Sequence, residues 1–568
     1  MLVICLSSLK NKYLSSAFVL LLSTVIVKVV GAVYKIPLTA FIGGVGRGYF
    51  AYAYNLFMPV HAITMGVFPI ALSRLVSTYN SKGDEQRVAS LKKGSFRLFV
   101  AVGLAGMCLL LAVSRQYSLL VAGSPSAVYT IAVLAPSVLF SSMAASYRGY
   151  YEGFLNMIPT AISQTIEALF KMIFGLLFAR MSMVYFVTEY EKTGMVLDKA
   201  FENEAAALSA IYPYTSAFAM LGVTLGALAG LCFLWCYSLF NGKPTVKACD
   251  VRGSQRELLL FSFPIMISTG VQSIFQFLDT ASIQVALGKV NIVAIKSMLM
   301  QMGGTVQAAD KDLPTYMYGL YSSALDFKNL IPSITMALGV ASVPAISRAF
   351  EQGSRERFEA LVNSIYKYTM LLSVIGGIIL YSCADDILNL LYGKSSPDIA
   401  ASTVDLVKAL SLTAFLYSLA GTAVFSVQAV GLAKKSILPY AVSGIIRVAL
   451  NVLLVGNGKY ILYGAVISGA VGYAVLSGWC IAIVCKNTKT RISFIKIFAL
   501  PVLAGIATLF VYKHMDLYLI GTNSSIVNII VKCLFVVSVY CILCFLCGML
   551  NFRRFFRDFV SKKNKANA

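Results

Sequence analysis

The sequence predicts an all-α polytopic membrane protein of about 14 transmembrane helices. Of its 568 residues, 58% are hydrophobic and only 12% are charged, and the mean hydropathy is +0.78. Ordinary soluble domains carry about twice that share of charge. Apolar runs of about twenty residues recur along the whole chain, and each is long enough as a helix to cross about 30 Å of hydrocarbon. The segments between the runs are of loop size, so the spans account for the whole fold.

The order of the spans follows from the apolar runs and the polar turns between them. An even number of spans places both termini on the same side of the membrane. The predicted spans are 14–41, 48–79, 90–113, 126–148, 157–181, 209–239, 257–287, 316–349, 358–382, 402–431, 436–456, 461–485, 494–513 and 525–550.

The distribution of basic residues predicts the orientation. The formal net charge is +23, from 47 Lys and Arg against 24 Asp and Glu. More than half of the basic residues lie in the two tails and the loops on their side, which the positive-inside rule assigns to the cytoplasm. Because these charges are spread over short loops, the sequence argues against a nucleic-acid partner. The basic tail 551–568 is predicted to bind anionic lipids of the inner leaflet, or to act as a plain topology anchor.

Catalytic and metal sites are not predicted. Cys541, Cys544 and Cys547 have the spacing of a cluster motif, but they lie in the last apolar run without a fourth ligand, so we interpret them as packing residues. The chain has two histidines, His61 and His514, which are far apart in the sequence. We therefore predict no metal, no cofactor and no enzymatic activity.

Two phrases recur about 280 residues apart. "PTAISQTI" from Pro159 is echoed by "PYAVSGII" from Pro439, and "FPIALSR" from Phe68 by "VPAISR" from Val343. Either these are chance similarities of apolar segments, or the chain is a duplicated six-helix unit with parallel repeats. The second interpretation predicts these regions: an N-lobe 1–240, a C-lobe 256–486, two extra helices within 494–550 and the tail 551–568.

Charges inside predicted spans are candidate site residues, because an ionisable side chain at mid-membrane costs at least about 2.5–3.5 kcal/mol. Lys28 and Lys35 share one face of the first span, and Lys28 lies deep within it. Lys35 faces a cavity or extends to the membrane surface. These two lysines are candidate substrate-binding residues.

The fifth span carries Glu167 with Lys171 one turn later, and Arg447 occupies the position in the second repeat that Glu167 has in the first. Glu167 either pairs with Lys171, pairs with Arg447 across a cavity as a gate, or carries an ion. Arg148 and Glu152 fall in the turn before this span and are predicted to be hydrated.

Asp279, Asp326 and Lys328 lie towards the outer ends of their spans, with a hydrated loop-edge role and a cavity role equally open. We assign Asp279 to gating or ion coupling, and Lys328 to substrate binding. Over all the spans the basic residues outnumber the acidic ones, and a low-dielectric cavity lined with cations attracts an anion such as a phosphate or diphosphate headgroup.

Four segments resemble one known family. They are "YKIPLTAFIGGVGRGYFAYAYNLF", "GVFPIALSRLVSTYNSKGD", "RGYYEGFLNMIPTAISQTIE" and "IPSITMALGVASVPAISRAFEQG". They are similar to the polysaccharide-transporter branch of the MATE-like multidrug/oligosaccharidyl-lipid/polysaccharide exporters, in particular its sporulation and lipid II flippase members. The resemblance runs over roughly residues 15–485.

The resemblance implies two six-helix lobes that alternate access, and a monomer in the bacterial cell membrane with both termini cytoplasmic. It implies export of an undecaprenyl-diphosphate-linked glycan, driven by the membrane potential or by Na⁺ or H⁺; a MATE-type drug or cation antiporter is the alternative. Basic residues of spans 1, 2 and 8 hold the diphosphate in this family, and Lys28, His61 and Lys328 lie at or near those positions. Tyr34 and Lys35 depart from the motif of span 1.

Overall fold

A computed structural model describes residues 12–241, 248–304, 308–519 and 525–549 of the chain. The predicted tail 551–568 and the N-terminal Lys10 lie outside the described residues. Nearly all of the described chain is helical, which confirms the predicted fold class. The one sheet among these residues is a two-stranded hairpin, described below.

The first two predicted spans form one helical path. Helix α1 runs from Lys12 to His61 and continues through a π-helical turn, Ala62–Val67, into α2, Phe68–Ser81. The backbone breaks at Gly43, with φ 65° and ψ −178°. At about 1.5 Å per residue, the 56 residues of Ile26–Ser81 extend about 84 Å, which is nearly three hydrocarbon thicknesses. The break at Gly43 therefore separates two spans, as predicted.

The helices that follow pair through short turns. Helices α5 and α6 have 36 and 37 residues, about 55 Å each, so both extend well beyond the hydrocarbon layer and carry the hairpin at their tips. Helix α7 bends by 46° between Phe263 and Ile265. The elements of this part are α3 Glu85–Leu120, α4 Ala127–Gly153, α5 Ile158–Thr193, β1 Met195–Val196, β2 Lys199–Ala200, α6 Glu204–Phe240, α7 Val251–Leu287 and α8 Ile292–Gln301.

The later part of the chain departs from the prediction in two ways. The predicted span 316–349 is divided at Asn329 into α9 and α10. Helices α8 and α12 occupy segments predicted as loops. The elements are α9 Leu313–Lys328, α10 Leu330–Glu351, α11 Arg355–Ser382, α12 Ala384–Tyr392, α13 Pro397–Ala429, α14 Ile437–Leu450, a π-helical turn Asn451–Val455, α15 Leu462–Thr488, a π-helical turn Ile495–Ala499, α16 Leu500–Leu519 and α17 Ser525–Leu546.

The described residues contain twelve helices that are long and apolar enough to cross a membrane, and the bent α7 adds one more. With Ile26–Ser81 counted as two spans, the total equals the fourteen that the sequence predicts. The chain is a multi-pass membrane protein.

By their contacts the residues fall into two compact units. The first comprises Met1–Met300, Thr305–Ser322 and Val448–Ile461. The second comprises Gln301–Gly304, Ser323–Arg447 and Leu462–Ala568. These units group α7 with the first half of the chain, whereas the internal similarity places it at the start of the C-lobe. The two lobes remain a prediction from the repeat.

Each unit has its own core. In the first, close backbone approach depends on glycine: a Cβ on Gly48 would lie 2.2 Å from the carbonyl oxygen of Thr315, and one on Gly222 would lie 2.3 Å from the backbone nitrogen of Gly175. In the second unit, Tyr366, Val427 and Val484 are among the buried centre of a cluster to which α16 and α17 also contribute. The two C-terminal helices are thus packed elements of the second unit.

Candidate functional site

An ion pair with one buried and one partly exposed partner joins α4 and α5 in the first unit. Arg148, near the end of α4, is only 5% exposed, and its Nη2 donates to Oε2 of Glu167 on α5 at 2.8 Å. Its Nε donates to Oγ of Ser163, one turn before Glu167, at 3.0 Å. The prediction that Arg148 is hydrated is wrong, because α4 continues through Gly153 and carries the guanidinium into the protein. Glu152, which accepts a hydrogen bond from Thr160 at 3.0 Å, is half-buried.

Lys171 lies one turn beyond Glu167 and points to aromatic rings. Its Nζ donates to the hydroxyl of Tyr54 at 2.7 Å and lies 5.0 Å from the centre of that ring and 5.4 Å from that of Tyr34. Glu167 therefore pairs with Arg148, and Lys171 bonds to Tyr54. At 2.7 Å from the hydroxyl oxygen, Nζ lies at the phenol edge of Tyr54, and neither a neutral hydroxyl nor a nearby ring neutralises the lysine.

An aromatic row along α1 continues from this lysine. The rings of Phe50, Tyr54, Phe57 and His61 follow one another, with centroid distances of 5.0, 5.8 and 4.8 Å. His61 is half-buried and lies within electrostatic range of Glu167, Arg148 and Lys171. The structure therefore brings the predicted residues His61, Glu167 and Lys171 into one region.

The other basic residues of α1 differ in their surroundings. Arg47 is 2% exposed, and its guanidinium lies 5.4 Å from the ring centre of Phe50. Lys35 is half-buried and adjoins Tyr34, whereas Lys28 is exposed. Burial therefore favours Lys35 over Lys28 as a residue that faces other parts of the protein.

Asp279 forms a separate polar centre in the first unit. It lies in α7, is 5% exposed, and its Oδ1 accepts from the amide of Asn451 at 3.0 Å. The same amide contacts Oγ of Ser282 at 2.9 Å and the carbonyl oxygen of Asp279 at 3.1 Å. Asn451 begins the π-helical turn after α14, so an irregular backbone segment meets a buried carboxylate here. The loop-edge interpretation of Asp279 is wrong.

The second unit presents two cations to one aromatic ring. Lys328, the last residue of α9, is 6% exposed, and its Nζ lies 5.3 Å from the ring centres of both Tyr417 and Tyr473. The guanidinium of Arg447 lies 4.5 Å from the centre of the Tyr473 ring. Burial of Lys328 excludes the loop-edge interpretation for this residue. The structure therefore joins Lys328 and Arg447, which the sequence assigned to different roles.

Comparison with known proteins decides the family. A sequence profile described as "Polysaccharide biosynthesis protein" matches residues 13–190 and 204–350, more than half of the chain. The chain belongs to this family. A second profile, described as "MatE", matches residues 315–453. The predicted membership of the polysaccharide branch of the MATE-like exporters is confirmed.

Two relatives of this family member come from Bacillus subtilis (strain 168). The lipid II flippase MurJ is 23% identical over 477 residues, which cover 82% of this chain and 81% of the relative. The stage V sporulation protein B is 24% identical over 529 residues, 92% of each chain.

Two solved structures share the fold. A structure of the lipid II flippase MurJ in an inward closed conformation has a TM-score of 0.65 at 16% identity, over 96% of this chain and 100% of the other. An inward-facing multidrug resistance MATE transporter has a TM-score of 0.61 at 14% identity, over 81% and 95%.

The sequence did not reveal three components of these sites. Arg47 lies in the gap between the first two predicted spans, and the spacing of Gly44, Gly46 and Gly48 around it was the available signal of close packing. Arg148 was assigned to a turn. The tyrosines that receive Lys171 and Lys328 come from distant positions in the chain, and nothing in the local pattern indicates them.

Proposed function

We propose that this protein is a flippase that moves an undecaprenyl-diphosphate-linked cell-wall or polysaccharide precursor, such as lipid II, from the inner to the outer leaflet of the bacterial cell membrane. The termini lie in the cytoplasm, and access alternates between the two sides. The names of the relatives support this substrate class. The prenyl chains stay in lipid, and the charged headgroup passes through the protein.

The observation that carries the proposal is the placement of three cations, one buried and two half-buried, against tyrosine side chains. Lys171 and Lys328 are each held against two tyrosine rings, and Arg447 lies over the second of the rings at Lys328. An aromatic ring attracts a cation and does not itself neutralise the charge. A cation so held in a low-dielectric region attracts an anionic headgroup.

The carboxylates of Glu167 and Asp279 have protein partners, which fits the same function. Glu167 is neutralised by Arg148, and Oδ1 of Asp279 is bound by Asn451. A carrier of organic cations needs exposed carboxylates in its binding region, and the cation excess here disfavours the MATE-type drug antiporter. We assign substrate binding to Lys328, Lys35 and His61, with Lys28 as a more exposed contributor. We assign conformational control to Glu167, and to Lys171 and Arg447 through their attraction for the headgroup.

Ion coupling is assigned to Asp279. It is a buried carboxylate next to a π-helical turn, and an ionisable group at such a place is the usual element through which Na⁺ or H⁺ acts on a transporter. The membrane potential supplies a further bias, because moving one elementary charge across 100 mV corresponds to about 2.3 kcal/mol.

The testing experiment is reconstitution in liposomes with a fluorescent undecaprenyl-diphosphate glycan, in which flipped lipid is measured by its accessibility to an external quencher. We expect Lys328→Met to raise the half-saturating substrate density about 10-fold or more, since one charged hydrogen bond contributes about 1.5–3 kcal/mol. Lys328→Arg should retain most of the activity.

Lys296→Met is the matched control. It removes a lysine that is 36% exposed and pairs with Asp310 at 2.7 Å, so flipping should be unchanged. Failure of the wild-type protein to accelerate flipping of any long-chain diphosphate lipid would refute the proposed function. Equal activity of the Lys328 and Lys296 variants would refute only the assignment of the binding residue.

A further inference from the structure

Two thiols from distant parts of the chain meet where α11 is followed by α12. The sulfur atoms of Cys383 and Cys533 lie 3.7 Å apart, although 150 residues separate them in the sequence. Cys383 is the single residue between the two helices and is fully buried, and Cys533 lies in α17 and is half-buried. A disulfide bond is about 2.05 Å long, so each sulfur would move by only about 0.8 Å.

Polar contacts fix both sides of this thiol pair. The residues next to it in space, Lys532 and Asp386, form a buried ion pair with Nζ and Oδ2 2.8 Å apart, at 9% and 14% side-chain exposure. The hydroxyl of Tyr512 in α16 donates to the carbonyl oxygen of Ser382, the residue before Cys383, at 3.0 Å. Both C-terminal helices are therefore tied to the α11–α12 junction, and their register against it is set by directional contacts.

We propose that Cys383 and Cys533 form a reversible disulfide that joins the last membrane span to the α11–α12 junction of the second unit. The oxidant is the disulfide of a small molecule or of a thiol–disulfide exchange protein. The Cys533 thiolate attacks that disulfide, which forms a mixed disulfide and releases one thiolate. The Cys383 thiolate then attacks the Cys533 sulfur, forms the internal bond and releases the second. The protein loses two protons and two electrons, and the oxidant becomes two thiols.

Burial sets the order of these steps. Cys533 is the more accessible sulfur and reacts first, whereas Cys383 is enclosed and resolves the mixed disulfide. Burial, with a smaller effect from the neighbouring Cys533, raises the pKa of the Cys383 thiol. Because the thiolate is the attacking species, the second step becomes faster as the pH rises.

The predicted topology places this junction where a disulfide can persist. If both termini are cytoplasmic, α11 runs from the inner to the outer face, so its end at Ser382 and the first turns of α17 lie on the outer side. The outer face is the oxidising compartment for a bacterial membrane protein. This inference is independent of which substrate the protein moves.

The test treats the purified full-length protein in detergent with dithiodipyridine, blocks the remaining thiols with iodoacetamide, and maps the peptides by mass spectrometry. We expect a cross-linked peptide pair containing Cys383 and Cys533, reversed by dithiothreitol and formed faster at higher pH. The bond closes a loop of 150 residues, and we expect it to raise the apparent Tm by roughly 5 °C.

Cys533→Ser should abolish both the cross-link and the Tm shift. Cys480→Ser, a buried cysteine of the same unit, should leave both unchanged. Wild-type protein that keeps a mixed disulfide on Cys533 without forming the cross-link would overturn the proposal. So would an equal Tm shift in Cys533→Ser. The peptide map of the wild type decides the question even if a variant does not fold.

Discussion

Substitutions of Arg148 and Glu167 test whether Glu167 pairs with Arg148, which is near in sequence, or with the distant Arg447. Arg148→Met removes the guanidinium that lies 2.8 Å from the Glu167 carboxylate, and Glu167→Gln removes the charge but keeps an amide of the same shape. If each residue is the main partner of the other, the changes in unfolding free energy that the two substitutions cause must not add in the double variant.

The magnitude follows from the burial of each side chain. Removing one partner of a fully buried pair costs about 3–5 kcal/mol. Glu167 keeps 29% of its side-chain exposure, so in Arg148→Met its carboxylate is partly hydrated, and we expect a loss of about 2 kcal/mol. Arg148 is 6% exposed and cannot deprotonate, so Glu167→Gln leaves a buried cation and costs about 3 kcal/mol. The double variant should lose about 3 kcal/mol rather than 5, a coupling of about 2 kcal/mol.

The assay is reversible unfolding by SDS in mixed micelles, followed by circular dichroism, for the wild type, both single variants and the double variant. A parallel cycle with Arg447→Met in place of Arg148→Met tests the pairing that the internal repeat predicts. Single-variant effects that add to within about 0.5 kcal/mol in the first cycle would refute the local pair. Coupling in the second cycle alone would favour the pair with Arg447.

Three further outcomes are expected. Gly222→Ala puts a Cβ 2.3 Å from the backbone nitrogen of Gly175 and should lower the unfolding free energy by about 2 kcal/mol. In Gly66→Ala the added Cβ meets no atom within 4 Å, so the unfolding free energy should change by less than about 1 kcal/mol. Thermal scans of both variants in detergent compare these effects. Burial raises the pKa of Asp312 above its usual 3.8, so the folded state holds this proton more tightly than the unfolded state. Stability should therefore fall as the pH rises from about 4 towards the raised pKa, and Asp312→Asn should remove that slope in unfolding titrations. Asp279→Asn should abolish the dependence of flipping on a Na⁺ or H⁺ gradient in liposomes while a response to the membrane potential remains; an unchanged gradient dependence would contradict the assignment of Asp279.

The spans could be predicted because each depends on a local property. A run of about twenty apolar residues is sufficient evidence for a membrane helix, since backbone groups in lipid must bond within the segment. The same reasoning did not find the break at Asn329, because charged residues like those before it, Asp326 and Lys328, also occur within unbroken spans that face other protein.

The contacts of the charged residues depend on how distant parts of the chain pack, so they could not be predicted from the local sequence. Helix periodicity placed Glu167 and Lys171 on one face, and it gave no reason to bring Arg148 to that face from 19 positions earlier in the chain. Lys328 and Arg447 both contact the ring of Tyr473. Tyr473 lies in α15, the helix after the one that carries Arg447 and several helices after Lys328. Charge alone marked both cations as unusual, and only the fold shows that they share a partner.

The choice of partners separates the charged residues into two kinds. Where a cation meets a carboxylate, as at Arg148 and Lys532, the pair is neutral and ties helices together at a fixed register. Where a cation meets tyrosine side chains, as at Lys171, its position is fixed and the tyrosines do not neutralise its charge. A protein that must hold a diphosphate briefly and then release it needs the second kind, because a neutralised cation binds no anion and a fully exposed one is screened by water and salt. The tyrosines around Lys171 are therefore as important to the proposed transport as the lysine itself.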